Sequence, residues 1–250
     1  MSGRYVWLVL LIVGYAALLV TYSNAPGALG FPVPDLAKII FFHVPPAMLC
    51  TVFFLWAAIM GIRYVSSRKP YFDMATQASV EIGTLLCALA TVTGMMFAKA
   101  QWGKYWEWDP RQTSILIQLL IYLAYFALRS AFTDRDRAAK VTATYAAFAF
   151  ITVPFLVWVL PRVVAFTKHE GANQAVVGGQ LDSTYRTIFW IATVYVFALA
   201  VTAYKWRIAA LQIEKTREVT NGLASMDATD TRVLRPVPLH SDGRSEEDEE

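Results

Sequence analysis

Apolar residues run along this chain in long blocks separated by short polar stretches. A membrane-spanning helix needs about 20 mainly apolar residues, with a usual range of roughly 17–25. Six segments meet that requirement: residues 5–22, a second block ending near residue 62, then 78–98, 114–132, 141–160 and 187–206. None carries the strict alternation of a barrel strand, and backbone polar groups in hydrocarbon must pair within their own segment. The pattern predicts an all-α integral membrane protein with six transmembrane helices. The first block follows Met-Ser-Gly-Arg and is longer than a signal-peptide core, and its only small-x-small candidate, Ser23-Asn24-Ala25, runs into Pro26. It is read as a retained anchor. In the second block Asp35 suits a helix cap, but Pro45-Pro46 is expected to interrupt the helix, because proline removes a backbone donor and clashes with the preceding turn. That predicts a short interfacial stretch over 36–42, a true span from about Ala47, and His43 at the break near the membrane surface.

Composition removes the soluble alternatives. The chain is 56% apolar and 16% charged, with mean hydropathy +0.43, whereas soluble chains are about 25% charged. Charge gathers at the C-terminal end, which closes with Ser-Glu-Glu-Asp-Glu-Glu. Two regions are therefore expected: a six-helix membrane domain over 1–206 and a polar tail over 207–250, cytoplasmic and largely disordered. Orientation follows from Lys and Arg. Fifteen fall on one set of termini and loops, and seven on the alternate loops, namely Lys38, Lys99, Lys104, Arg111, Arg162, Lys168 and Arg186. The positive-inside rule then puts both termini in the cytoplasm (N-in/C-in) and exposes three outer loops: 23–45, 99–113 and 161–186. Cys50 and Cys87 are too few and too far apart for a disulfide scaffold or a CxxC site, and both are expected to be small buried hydrophobes. No internal repeat is visible.

Chemistry concentrates in the second outer loop, Gln101-Trp102-Gly103-Lys104-Tyr105-Trp106-Glu107-Trp108-Asp109-Pro110-Arg111. Two readings of its aromatics stand side by side: an interfacial belt, or a flat platform for a planar ligand whose edge the indole N–H groups could meet. Asp109 at N-cap, Pro110 at N1 and Gln112 at N3 make a strong helix start. Arg111 has no such local role, and its guanidinium beside the aromatics suits a carboxylate. Of three histidines, His240 lies in the tail, while His43 and His169 fall in the two outer loops flanking the tryptophan loop. Two imidazoles can fill both axial positions of a haem iron, so two histidines, an aromatic surface and nearby cations outline a haem site.

Trp-Gly-x-x-Trp-x-Trp-Asp-Pro-Arg over 102–111 resembles the tryptophan-rich WWD signature of the CcmC/CcmF/CcsA haem-handling family of cytochrome c biogenesis. Phe42-His43-Val44-Pro45 and His169 resemble that family's two functional histidines, and six spans in about 250 residues fit its CcmC (haem exporter protein C) branch. The resemblance covers roughly residues 30–206. It implies haem b bound at the periplasmic face of the inner membrane and delivered to the haem chaperone CcmE, with the CcmA/CcmB ABC transporter and CcmD as partners. By matching positions, His43 and His169 would be the axial ligands, and Trp102, Gly103, Trp106, Trp108 and Asp109 would form the haem platform. Tyr105 stands where relatives often have another tryptophan. His169 is matched by its loop position more than by its flanking residues.

A secondary transporter or channel is the rival reading, and it would place polar residues at mid-membrane. Glu81 and Gln118 are expected in first turns near the interfaces, which disfavours it. A transferase or protease would need a nucleophile and base inside the bundle, and no such pattern appears. The chain is expected not to be an enzyme and not to bind nucleic acid.

Overall fold

The computed structural model describes residues 2–27, 33–164, 166–169 and 182–233. Six helical segments are long and apolar enough to cross a membrane, and no strand occurs among the described residues. The first helix, α1, is Ser2–Asn24. A 3-10 turn, Pro34–Ile39, leads into α2, Ile40–Ser67. Then come α3, Pro70–Trp102, α4, Pro110–Ser130, and α5, Arg135–Pro154. Directly after Pro154 the spiral widens to a π turn, Phe155–Val159, and ends in the short α6, Leu160–Val163. The last helix, α7, is Ser183–Val233.

Local sequence accounts for several boundaries. Pro70 and Pro110 occupy the first helical positions of α3 and α4, where the missing N–H costs nothing. Asp134 caps α5 by accepting from the N–H groups of Asp136 (2.9 Å) and Arg137 (3.3 Å). Helices outrun the apolar blocks: α3 has 33 residues, about 50 Å at 1.5 Å per residue, against a hydrocarbon core of about 30 Å. Helical hydrogen bonding simply continues past the interface.

Three expectations are corrected here. α2 runs unbroken through Pro45 and Pro46, so there is no interfacial stretch ending before His43. Both prolines lie within the first two turns and are buried, so few ladder bonds are lost and packing holds the helix in line. His43 is consequently an early residue of α2, packed against α3. The second correction concerns Glu81 and Gln118. α3 begins at Pro70, which sets Glu81 three turns inside the helix, where it pairs with Arg207 of α7; Gln118 is completely buried. Polar side chains do therefore lie deep in the bundle. Thirdly, helix continues beyond Trp206 to Val233, where a disordered tail was expected. Residues 207–218 are rich in Ala, Leu, Gln, Glu, Lys and Arg, the strongest helix formers, and a helix already nucleated by the membrane span extends at little cost. Residues 234–250, with His240, lie outside the described residues.

The chain divides into two compact units, Met1–Ile208 and Ala209–Glu250. Within the first unit, α2, α3, α4 and α5 share a core in which Phe54 stacks flat on Tyr122 with ring centroids 3.4 Å apart. Small residues such as Ala57 and Ala146 are fully buried there and let the helices approach closely. Cys50 and Cys87 are buried in the same core as free thiols. A second cluster, around Leu18, Phe41, Phe189 and Ala192, joins α1, the start of α2 and α7. At the end opposite the tryptophan loop, Arg129 grips Asp73 with both nitrogens (2.9 and 2.8 Å) and donates to Thr142 (3.0 Å), tying α3, α4 and α5 together. The second unit, as far as it is described, is the helical continuation Ala209–Val233.

Candidate functional site

α3 stops at Gly103, whose backbone adopts φ +82° in the left-handed region. Its N–H closes onto the Lys99 carbonyl at 3.1 Å, and the Lys99 ammonium donates to the Gly103 carbonyl at 2.9 Å. A side chain here would meet no neighbour, so glycine is needed for its backbone freedom, not for space. The chain then turns back, and Trp108 also has positive φ (+55°), a strained state for a bulky residue. Gln112 braces the turn: its Oε1 accepts from Glu107 N–H at 2.9 Å and its amide donates to the Tyr105 carbonyl at 3.3 Å.

The aromatics do not form one flat sheet. Trp106 and Trp108 meet edge to face (5.7 Å, 87°), and Trp102 meets Phe97 in the same way (5.8 Å, 81°). The loop thus offers separate ring faces. Trp108 is 72% exposed, whereas the Trp106 Nε1 is buried without a hydrogen-bond partner among the described residues. Tyr105 is exposed, with the Lys99 ammonium over its ring.

Asp109 is the hub. It is fully buried, and each carboxylate oxygen takes two donors. Oδ1 accepts from Arg111 N–H (2.9 Å) and from His169 Nδ1 (2.8 Å). Oδ2 accepts from the Thr167 hydroxyl (2.9 Å) and Lys168 N–H (2.7 Å). Burial alone would push this carboxyl upward; the His169 hydrogen bond and charge, with the backbone donors of Arg111 and Lys168, outweigh it and hold the group well below the usual carboxylate range. The N-cap legible in the sequence is therefore also a clamp on residues 167–169. A second link reinforces it, since Lys168 Nζ pairs with Glu107 at 3.1 Å and lies over the Trp102 ring at 5.8 Å.

His169 is held twice, by Asp109 and by an edge-to-face contact with Trp102 (4.9 Å, 85°). With Nδ1 given to a carboxylate, Nε2 on the far side of the ring is the nitrogen left for a ligand. His43 reaches the same outcome by another route. Its Nδ1 lies 3.1 Å from Thr93 Oγ1, while that hydroxyl donates to the Leu89 carbonyl at 2.7 Å. The Thr93 proton being committed, His43 Nδ1–H donates and Nε2 keeps its lone pair. Gly94 makes room for the ring: a Cβ there would stand 2.8 Å from His43 Cε1. The two histidines lie within electrostatic reach of each other, at the same end of the bundle as the tryptophan loop. Arg111 likewise lies within reach of Arg162. The Gln101 side chain bonds both N–H and C=O of Val33 (3.2 and 3.0 Å), fastening the approach to α2 onto the end of α3.

All the residues singled out in the sequence, His43, Trp102, Gly103, Trp106, Trp108, Asp109, Arg111 and His169, thus converge on one end of the helices. The sequence reading missed Thr93, Gly94, Glu107, Arg162, Thr167 and Lys168. Thr93 and Gly94 are inconspicuous inside an apolar span; only their apposition to His43 marks them. Thr167 and Lys168 were adjacent to a named histidine, which was the available signal.

The fold and site define a multi-pass membrane protein with two histidines and a tryptophan loop gathered at one end. A family model described as Heme exporter protein C matches residues 2–222, and the chain belongs to that family. It is similar to the heme exporter protein C of Bradyrhizobium diazoefficiens, 33% identical over 196 residues that cover 77% of this chain and 72% of the relative. The proteins of the same name from Haemophilus influenzae and Rhodobacter capsulatus are each 28% identical, over 75% and 72% of this chain and 76% and 71% of their own.

Proposed function

We propose that this protein binds haem b between His43 and His169, on the periplasmic face of the inner membrane, and presents it to the haem chaperone CcmE in a complex with the CcmA/CcmB ABC transporter and CcmD. Membership of the heme exporter protein C family gives the chain a part in haem handling for cytochrome c biogenesis. The observation that carries the finer reading is the pair of histidines, each with Nδ1 already engaged and Nε2 left over. Bound haem supplies an iron that takes two axial nitrogens. The donor set fits it in three further respects. The buried Trp106 Nε1 is an unpartnered donor of the kind a polar ligand edge would satisfy. The faces of Trp102, Trp106 and Trp108 offer apolar contact to a macrocycle, and Arg111 with Arg162 suits its carboxylates. Asp109 would fix the His169 ring and raise the basicity of its free nitrogen, as carboxylates behind ligating histidines generally do.

Absorbance of the purified protein tests the proposal. A six-coordinate low-spin spectrum is expected; His43→Ala or His169→Ala should each open one axial position, and added imidazole should partly restore the spectrum. A low-spin spectrum that survives His169→Ala without imidazole would remove that residue from the axial pair. Topology reporters fused after Arg68 and after Glu170 should read cytoplasmic and periplasmic respectively.

A further inference from the structure

Every buried residue of α4 after Pro110 carries a polar group, although Ile115, Leu119, Ile121 and Phe126 also pack partly against the core. Gln112, Ser114, Gln118, Tyr122 and Tyr125 are buried, while Ile117, Leu120 and Leu123 point outward and are exposed. From Ser114 onward these positions recur every three to four residues, so Ser114, Gln118, Tyr122 and Tyr125 form one stripe along the helix, while Gln112 turns to the tryptophan loop. Within it, Ser114 Oγ, Gln118 Oε1 and Tyr122 OH have no hydrogen-bond partner among the described residues, and neither does Thr84 Oγ1 on α3. Other buried hydroxyls of the bundle close onto the carbonyl one turn back, as Thr76 (2.8 Å), Ser79 (2.7 Å) and Thr142 (2.8 Å) do. Thr84 and Ser114 do not.

These unpartnered groups are neighbours. The Asp73–Arg129 pair and the Cys87–Ile115 contact (Sγ to carbonyl, 3.7 Å) fix the antiparallel register of α3 on α4, which sets Thr84 level with Gln118. Gln118 Nε2 approaches Cys50 Sγ on α2 at 3.9 Å, and the Cys50 and Cys87 thiols face each other. Tyr122, stacked on Phe54, cannot swing its hydroxyl elsewhere. At hydrocarbon depth no bulk water or lipid group can satisfy these atoms, and unpaired burial is costly. Water buried with the helices is the smallest species with both donors and acceptors to complete the set, and polar surroundings of this kind are what retain it.

We propose that α2, α3 and α4 enclose bound water that bridges Thr84, Ser114, Gln118 and Tyr122, with the Cys50 and Cys87 thiols at its edge. The bundle beneath the histidine site is then locally hydrated. This inference is independent of haem binding.

X-ray hydroxyl-radical footprinting of the full chain in lipid nanodiscs, in water enriched in oxygen-18, tests it. Cys50, Cys87 and Tyr122 are all fully buried, so only radicals born from water held beside them can label them. Met60, 2% exposed and about 15 Å further along α2 by helical rise, is an equally oxidisable internal reference. Cys50, Cys87 and Tyr122 should label severalfold faster than Met60. Gln118→Leu should bring Cys50 down to the Met60 rate, and the milder Ser114→Ala should slow labelling of Cys87 and Tyr122 if the first variant does not fold. Wild-type labelling no faster than Met60, or labelling unchanged in the folded variants, would overturn the proposal.

Discussion

Asp109→Asn separates the two roles of the buried carboxylate. Asparagine is as good an N-cap as aspartate, so it should keep accepting from Arg111 N–H and leave the start of α4 intact. With Oδ1 kept toward Arg111 and His169, the new amide NH2 replaces Oδ2, which now accepts from Thr167 and Lys168. Thr167 can rotate its hydroxyl to accept instead. The Lys168 N–H, at 2.7 Å, cannot. The loss is one charge-assisted bond plus the penalty of an unpaired donor, about 3 kcal/mol in all, or roughly a hundredfold in the local opening equilibrium. Hydrogen–deuterium exchange at the Lys168 amide reads this directly, and it should accelerate by about that factor while amides in the first turn of α4 stay unchanged. The pH dependence follows in sign. A carboxyl held below its unfolded value of about 3.9 contributes stability that is present above that value and lost only as pH falls through the folded one. The wild-type clamp, and hence the ratio of exchange in wild type to variant, should hold from pH 7 down to pH 4. Exchange at Lys168 within threefold of wild type would refute the clamp, because Asp109 is the acceptor of that N–H among the described residues.

Gly94→Ala gains roughly 0.5–1 kcal/mol of helix preference but sets a methyl 2.8 Å from His43 Cε1, an overpacking that costs about 1–3 kcal/mol, so the thermal midpoint of the haem-free protein should stay level or fall modestly; the ring should tilt and lower the low-spin fraction of loaded protein, and an unaltered spectrum would count against His43 as a ligand. Alanine at Trp102, Trp106 and Trp108 together should strip haem retention with insertion preserved, each single change being partial because an aromatic pair contributes about 0.5–1.5 kcal/mol beyond area burial. Unchanged haem content in the stably inserted triple variant would return the loop to an interfacial belt. At the opposite end, Arg129→Lys keeps the charge but loses the two-pronged grip on Asp73, whose side chains are 23% and 16% exposed. Partial exposure discounts the usual cost of breaking a buried pair to about 2 kcal/mol, and a thermal midpoint equal to wild type would show that the pair is not what joins α3 to α4.

What the sequence determined by itself was everything governed by local transfer energy and local backbone chemistry. Six apolar blocks required six helices, because hydrocarbon leaves the backbone no other way to pair. Asp109-Pro110 and Gly103 marked where α4 begins and α3 ends, since a cap, a missing N–H and a left-handed residue act within one turn. That the candidate residues share one end followed from the alternation of loops between successive spans. Hydropathy reads the thickness of the bilayer and not the length of a helix, which is why the blocks fell short of α3 and α7. The same limitation hid the path through Pro45-Pro46: whether a proline breaks a helix depends on what packs around it, and the residues packed against Phe41 at the start of α2, such as Leu18, Tyr185 and Phe189, are supplied by α1 and α7. Only the tertiary structure could show that Asp109 serves His169 as well as its own helix, that Thr93 decides which nitrogen of His43 is free, and that the polar stripe of α4 faces inward. Each of these depends on the register between helices remote in sequence, where a hydrogen bond exists or fails over a fraction of an ångström and leaves no periodic trace in the chain.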